Sequence, residues 1–444
     1  ETYIEQAAPA ENTNEEPDSE TLYKAMALLP VLAQESEVRY RPRLNIALLQ
    51  ASDLLVAADR VNDASLILSL IKTTDVMLDF HESRLEALQA DLERRTGFGA
   101  SDEVLQEIRV EITNMEARIE QLEELPTLRN ELLVRRARNF SAAQRLYEAF
   151  WMFSDLLEAN PNDPRAEFFL FATISNANQI GKDVALLSLG TDYLDQYPNG
   201  QYYSDVVVAL AGALERLEEE ERFLELTEGF LTQNPSDRYA PSLVVRWANF
   251  LFDRSQFDRI ISQTTRWQRV HEESAIGDGV LYWQSLARLQ VGQYLEAADG
   301  FEQMLQQYGD SPYAEDGLLR RGIALFYGQE AETAQSVLRS YVNLYPRGAG
   351  LDQAHFFLGE ISLLFGQTEE ALESFRRAER LTGSQQILDA VAFKIGGIFE
   401  SLGEYQQMED HFRDYIERFQ DQGKLTEAVL ELGKAHEYQV EPIE

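Results

Sequence analysis

The stretch YPRGAGLDQAHFFLGEISLLFGQTEEALESFRRAE, Tyr345–Glu379, decides the fold. It reads as a helix, a turn centred on Gly366, and a second helix in which Ala371 and Phe375 stand about one turn apart. Gly359 falls in the middle of the first helix, where glycine costs about 1 kcal/mol relative to alanine. If close packing is the reason for that cost, a small residue must recur at a fixed spacing. Steps of 37 residues lead back to Gly322, Ser285, Ala248 and Ala211, and forward to Gly396 and Gly433. Two further steps back reach Ile174, which is large, and then Ala137. Gly, Ala and Ser together make up roughly a fifth of an average protein. Eight small residues at nine such positions are therefore not an accident.

The rest of the unit keeps the same ruler. Seven residues after the small one stand Gly181, Gly292, Gly366 and Gly403, which mark the turn between the helices. Twelve after it come Ala149, Ala297, Ala334 and Ala371; sixteen after it come Phe153, Phe301, Leu338, Phe375 and Phe412. Twenty-four after it, Pro161, Pro198, Pro235 and Pro346 end the second helix, since proline cannot continue one. This phase resembles the tetratricopeptide repeat (TPR) family, from about Asn130 to the end of the chain. The resemblance implies an all-α, TPR-type α-solenoid, a superhelix of helix pairs. In it the small residues let helices approach closely, and stacking recovers the propensity cost. The 37-residue step is longer than the family's usual 34. The extra residues fall in linkers such as QYPNGQYYSD and LYPRGAGLDQ. These resemble bacterial cell-envelope TPR proteins, the relatives of outer-membrane assembly lipoproteins and cell-division coordinators.

Upstream the pattern changes. Residues 1–19 are acidic and poor in large apolar side chains, which predicts a disordered tail or tether. The chain opens on Glu1 with no apolar leader, so it reads as processed or excised. Residues 20–76 read as N-terminal helical hairpins, degenerate and repeat-like, with Ser52, Ala64 and Leu68 at the repeat's offsets. Residues 77–126 carry apolar seams, Leu85, Leu88 and Leu92 in one helix and Ile108, Ile112, Met115, Ile119 and Leu122 in the next. Steps of three and four predict an N-terminal antiparallel coiled-coil hairpin, about 25–30 Å long, reversing at Gly97 and Gly99 with Ser101 or Asp102 as cap. Residues 127–444 form the TPR solenoid.

The formal net charge of −37 excludes nucleic acid and anionic lipid as ligands, which need a basic footprint. Zero cysteines exclude disulfides and thiolate metal sites, and no apolar run is long enough to span a bilayer. There is no His-Glu-x-x-His, no Gly-x-Ser-x-Gly and no glycine-rich phosphate loop. The five histidines, His81, His271, His355, His411 and His436, form no helical ligand pair and read as surface residues. The expectation is a non-catalytic chain with no cofactor.

The resemblance places certain helix A residues along an inner groove. They include Phe168, Phe171, Asn178, Asn249, Phe252 and Tyr282. Further along the chain they include Phe326, Tyr327, Phe356, Glu360, Phe393 and Glu400. Asn178 and Asn249 resemble the family's backbone-holding asparagines, whereas the lysines of its carboxylate clamp are absent. The function implied is a protein–protein interaction scaffold that holds an extended or basic partner segment, such as a membrane-complex subunit, in an acidic, partly aromatic groove. The compartment implied is the periplasm or cell envelope, with the cytoplasm as alternative. The alternatives to this function are a repeat domain cut from a larger enzyme or transport complex, and a structural protein that forms homo-oligomers through the coiled-coil hairpin.

Overall fold

A computed structural model describes residues 18–28, 37–270, 274–419 and 423–440, together with Gln6 and Pro30. The expected tail of residues 1–19 lies almost wholly outside the described residues, as does His271. The chain divides into two compact units, Glu1–Leu226 and Thr227–Glu444. Among the described residues, every regular element is helical.

The first unit opens with α1 (Ser19–Ala27), one 3-10 turn at Val38–Tyr40, α2 (Pro42–Ala57) and α3 (Val61–Leu70). Two long helices follow, α4 (Thr74–Gly97) and α5 (Asp102–Glu123), packed along each other. At 1.5 Å per residue they are about 36 and 33 Å long, more than the sequence implied, because α4 begins at Thr74 and runs through Gly97. Leu105, Ile108, Met115 and Leu122 of α5 are buried, at steps of three and seven residues, while Ile112 and Ile119 are half-buried. The base of this hairpin is not separate. Met77 and Leu122 share one core with Leu48, Leu55, Leu68 and Leu132. Thr74 Oγ1 also donates to the Pro126 carbonyl (3.3 Å) and accepts from the Leu128 N–H (3.1 Å). Helix pairs complete the unit: α6 (Leu128–Ala142) with α7 (Leu146–Ala159), and α8 (Ala166–Gln179) with α9 (Asp183–Gln196). Then come α10 (Tyr203–Arg216) and α11 (Glu220–Gln233), within which the division falls.

The second unit continues with α12 (Ala240–Asp253) and α13 (Phe257–Val270), α14 (Gly277–Gln290) and α15 (Tyr294–Gln307), and α16 (Ala314–Tyr327) and α17 (Ala331–Leu344). It ends with α18 (Leu351–Leu364) and α19 (Thr368–Leu381), α20 (Gln385–Leu402) and α21 (Tyr405–Arg418), and α22 (Leu425–Val440). From α12 on, even-numbered helices are the A members and odd-numbered ones the B members. Each A helix touches the A helix of the next repeat as well as its own B helix, so the A helices form the inner row.

The repeat is more regular than its sequence. Every B helix from α7 to α21 begins 37 residues after the one before, Leu146 to Tyr405. The turn residue before each one is left-handed. Gly181, Gly292, Gly366 and Gly403 have φ of 70–80°, and Gln144, Glu218, Ser255 and Gln329 adopt 55–66° at the same offset without being glycine. Asp59 (φ 55°) stands seven residues after Ser52, so α2 and α3 close by the same turn.

The small residues of the A helices are seats for large residues of the B helices. A Cβ on Gly359 would lie 2.7 Å from Phe375 Cε1; on Gly396 it would meet Phe412 Cζ at 2.3 Å, and on Gly322 Leu338 Cγ at 2.6 Å. Ile174 departs from the pattern: it is fully buried, and at Gly190, sixteen further on and also buried, an added Cβ would lie 3.2 Å from Leu210 Cδ1 of α10. A Cβ on Gly433 would meet nothing within 4 Å among the described residues.

Three linkers after B helices are tied back alike. Tyr193 donates to Glu167 Oε1 (2.6 Å) and accepts from the Tyr202 N–H (3.1 Å). Tyr341 donates to Glu315 Oε1 (3.2 Å) and accepts from the Gly350 N–H (3.0 Å). Tyr415 donates to Asp389 Oδ1 (2.5 Å) and accepts from the Lys424 N–H (3.0 Å). Burial above all, with the adjacent carboxylate, pushes the Tyr341 and Tyr415 phenols up to about 12. Two other linkers cap themselves, with the Tyr239 N–H on Asp237 Oδ1 (2.8 Å) and the Tyr313 N–H on Ser311 Oγ (3.1 Å).

Two histidines expected at the surface are buried instead. His81 places Nδ1 3.2 Å from Met115 Sδ and Nε2 3.3 Å from the Tyr40 carbonyl oxygen, so it fills the gap between the 3-10 turn, α4 and α5. His355 lies among the α18 core residues. His411 is partly covered, with Nε2 2.9 Å from the Ala392 carbonyl oxygen. Among the described residues no group of three or more His, Asp or Glu is placed to hold a metal ion.

Candidate partner-binding face

The helix A residues singled out from the sequence separate by unit. Phe168, Phe171 and Asn178 lie on α8 in the first unit. There Phe171 is stacked on Tyr202 (4.1 Å between centroids, 4°), and Phe168 packs edge-on to Phe153 with the Arg138 guanidinium over its face. Asn178 Oδ1 accepts from Arg216 Nη2 (3.1 Å), an arginine that also grips Asp183. That acceptor is therefore engaged within the chain. Asn249 is exposed on α12.

In the second unit the remaining residues fall along consecutive A helices. Phe252 packs edge-on against Trp283 and Phe257. Tyr282 is stacked on Tyr313 of the following linker at 4.5 Å, and its hydroxyl donates to Asp316 Oδ2 at 2.7 Å. Burial and that carboxylate push the Tyr282 phenol well above its ordinary range. Arg320 Nε donates to the same oxygen (3.3 Å) and its Nη1 to Gln353 Oε1 (3.4 Å), so a polar string crosses α14, α16 and α18. Beside it the rings of Phe326, Tyr327 and Phe357 meet at 5.3–5.7 Å. Phe356 packs on Phe375, and Phe393 on Phe412 and Tyr415. Most of these rings are half-buried, and each presents one edge. The open part of the face is Tyr327, 48% exposed, and Leu364, 66% exposed, one repeat apart at the same helical position.

The carboxylates behave otherwise than expected. Glu360 Oε2 accepts from Lys394 Nζ at 2.7 Å, and Oε1 is buried without a hydrogen bond. Neither oxygen is left for a basic partner. Asp316 is held by Tyr282 and Arg320. Glu400 lies near Lys434, whose ammonium is held above its usual range by Glu431 first and then by Glu400. Asp316 and Glu360 on this face are thus paired with cations of the chain itself. The comparison of equivalent positions missed Lys394, because it stands two residues before the small Gly396 and reaches across to the preceding A helix. Leu364 was missed as well, although Tyr327 one step earlier marked its position.

Residues 275–392 match the family model described as YfiO, outer membrane lipoprotein. This is the stretch that carries Tyr282, Phe326, Tyr327 and Phe356. No curated protein matches the chain in sequence. Among solved structures, a tetratricopeptide repeat protein from Parabacteroides merdae is 15% identical, with a TM-score of 0.34; the match covers 60% of this chain and 98% of that one. The C-terminal part of a TPR protein from Cytophaga hutchinsonii is 14% identical, with a TM-score of 0.43, over 57% of this chain and 98% of that one. A thermophilic TPR protein of Thermus thermophilus is 18% identical, with a TM-score of 0.31, over 44% of this chain and 99% of that one. The helix pairs described above form an all-α, TPR-like repeat solenoid. No described helix is long and apolar enough to cross a membrane.

Proposed function

We propose that this protein is a non-catalytic interaction scaffold of the bacterial cell envelope, at the periplasmic face of the outer membrane. In this reading it holds a partner protein along the A helices of residues 277–402. The observation that carries it is the run of half-buried rings ending in the exposed Tyr327 and Leu364. Covering two such side chains contributes about 1.5–3 kcal/mol each. Partner affinity should therefore vary little with salt, because the nearby carboxylates are already matched by cations of the chain itself. The match of residues 275–392 to an outer membrane lipoprotein family supports the compartment.

The test begins by isolating the partner with the tagged full chain from an envelope extract of the native host. Its affinity is then measured for Tyr327→Ala combined with Leu364→Ala. Weakening by about tenfold or more at low and high salt alike is expected. Unchanged affinity, or binding that disappears in salt, overturns the reading. The hairpin of residues 77–126 would serve as a coiled-coil arm for a second contact, since Phe98 at its tip is exposed between Gly97 and Gly99. Self-association through that tip would show as a halved solution mass in Phe98→Ser.

A further inference from the structure

The outward positions of the B helices provide an internal comparison. Ten residues after the small residue of each A helix the side chain is exposed; Glu221, Asp258, Glu332, Glu369 and Gln406 stand there in five of eight repeats, and Leu295 (45% exposed) stands there in a sixth. Fourteen residues after it the side chain is again exposed, and seven of eight repeats carry Ser, Asp or Glu. Solvated polar residues are thus the default of this face. The departure is concentrated at one place in the first unit. Tyr147 (58% exposed) and Trp151 (56%) stand one turn apart on α7, and Val184 (75%) takes the position of Tyr147 one repeat later, on α9. Lys182, two residues before Val184, brings Nζ to 5.1 Å from the Phe150 ring centroid and 5.4 Å from that of Trp151. The patch is therefore continuous from α7 to the start of α9. Five other repeats fill the first of these sites with charge or amide, and the apolar Leu295 of a sixth is packed against Gly328 at the end of the following A helix, whereas Tyr147, Trp151 and Val184 cluster on neighbouring B helices.

We infer that this patch is a second docking surface, distinct from the A-helix face. It fits a protein segment that carries Lys or Arg beside a large apolar side chain. Three observations point to that chemistry. The exposed rings of Tyr147 and Trp151 offer flat apolar area and cation-accepting faces. Lys182 shows a cation already held against this aromatic group. Asp155, one turn beyond Trp151, and Asp192, two turns beyond Val184, are exposed and make no ion pair among the described residues, whereas Glu148 is engaged by Arg145. An acidic segment would meet those free carboxylates and a chain of net charge −37. A basic apolar one satisfies both features.

Trp151 makes the test direct. Trp247, Trp267 and Trp283 are buried, so Trp151 is the exposed member of the four tryptophans. The probe is a synthetic amphipathic peptide of about 18 residues, five helical turns, with Leu on one face and Lys on the other. Its counterpart carries Glu for every Lys. With the full chain, the Lys peptide should shift the tryptophan emission to the blue and protect it from acrylamide, and the Glu peptide should do neither. Trp151→Glu with Val184→Glu, which restores the residue type of the other repeats, should weaken the Lys peptide by about tenfold or more in an anisotropy titration, as loss of an aromatic anchor does. Trp151→Phe should retain binding, and Tyr327→Ala with Leu364→Ala should not alter it. Attraction by overall charge predicts the opposite sign, since two added carboxylates would tighten a basic peptide. Tighter or unchanged binding by the double Glu variant overturns the inference, as does equal binding of the Glu peptide.

Discussion

Alanine in place of two glycines of neighbouring A helices should move stability in opposite directions. On Gly359 of α18 the added Cβ would stand 2.7 Å from Phe375 Cε1 and 2.8 Å from Cδ1 and Cζ of the same buried ring. Carbon atoms not bonded to each other rest at about 3.5–4.0 Å, so the ring must retreat by about 1 Å. Overpacking of this kind costs about 1–3 kcal/mol, against a helix-propensity gain of about 1 kcal/mol. Gly359→Ala should therefore lose between about 0 and 2 kcal/mol. Gly397 of α20 is exposed, with nothing within 4 Å of its added Cβ, so Gly397→Ala should gain the full propensity term of about 1 kcal/mol. The difference between the two variants cancels propensity and isolates the packing term. Urea unfolding followed by circular dichroism measures it, with equal slopes required for the comparison. Phe375→Leu in the Gly359→Ala background should recover part of the loss, which a double-mutant cycle reads as coupling. If both alanine variants raise the midpoint equally, Gly359 is not a seat for Phe375 and the packing account of the repeat fails.

Ser255→Gly and Gln329→Gly should each raise the melting temperature, because an L side chain in the left-handed region costs about 1 kcal/mol; Gly366→Ala should lower it by a similar free energy. The Tyr341 and Tyr415 phenols titrate near 12 in the fold and near 10 when unfolded, so their contribution is complete below pH 10 and is lost as pH rises toward 12. The corresponding Tyr→Phe variants should flatten that alkaline loss in a pH series of melts. At the other end, burial depresses His81, His355 and His411, with Arg118 acting in the same sense and Glu37 opposing it at His81. The unfolded chain then takes up protons first. Stability should be intact above about pH 6.5 and fall below it, less steeply in His81→Leu. Replacing residues 84–119 by a short Gly-Ser turn should leave unfolding cooperative, since Met77 and Leu122 stay in the shared core; an early transition at residues 42–70 would refute this.

Periodicity made the repeat readable because each A–B pair is a local unit whose packing repeats with the sequence. The small residue, the alanine and the aromatic of α18 and α19 are buried where their spacing placed them. Gln144, Glu218, Ser255 and Gln329 could not be recognised as turn residues, because their left-handed backbone is imposed by the helices on either side and not by their own preference. The rings of the candidate face were readable in the sequence, and the partners of its carboxylates were not. Ring positions follow from helical phase, whereas the pairing of Glu360 with Lys394 depends on how one A helix stands against the next, which no single repeat encodes.

The two kinds of linker have a mechanical consequence. Where a tyrosine hydroxyl holds both a carboxylate of its own repeat and an N–H of the next, as at Tyr193, Tyr341 and Tyr415, the linker cannot turn without breaking contacts to two helices. Positions 230 and 304, at the same place in the ruler, carry Phe and Met, which have no hydroxyl to offer. There the N–H groups of Tyr239 and Tyr313 are capped two residues back, and Ser311 Oγ, which caps Tyr313, also donates to Asp278 Oδ2 of α14 (2.8 Å), so a serine ties that linker to its own repeat in place of a tyrosine. Slow amide exchange at Tyr202, Gly350 and Lys424 would mark the stiff joints. The Tyr313 joint is held by the serine tie to Asp278 and by the ring of Tyr282 stacked on Tyr313, so its amide should exchange slowly as well.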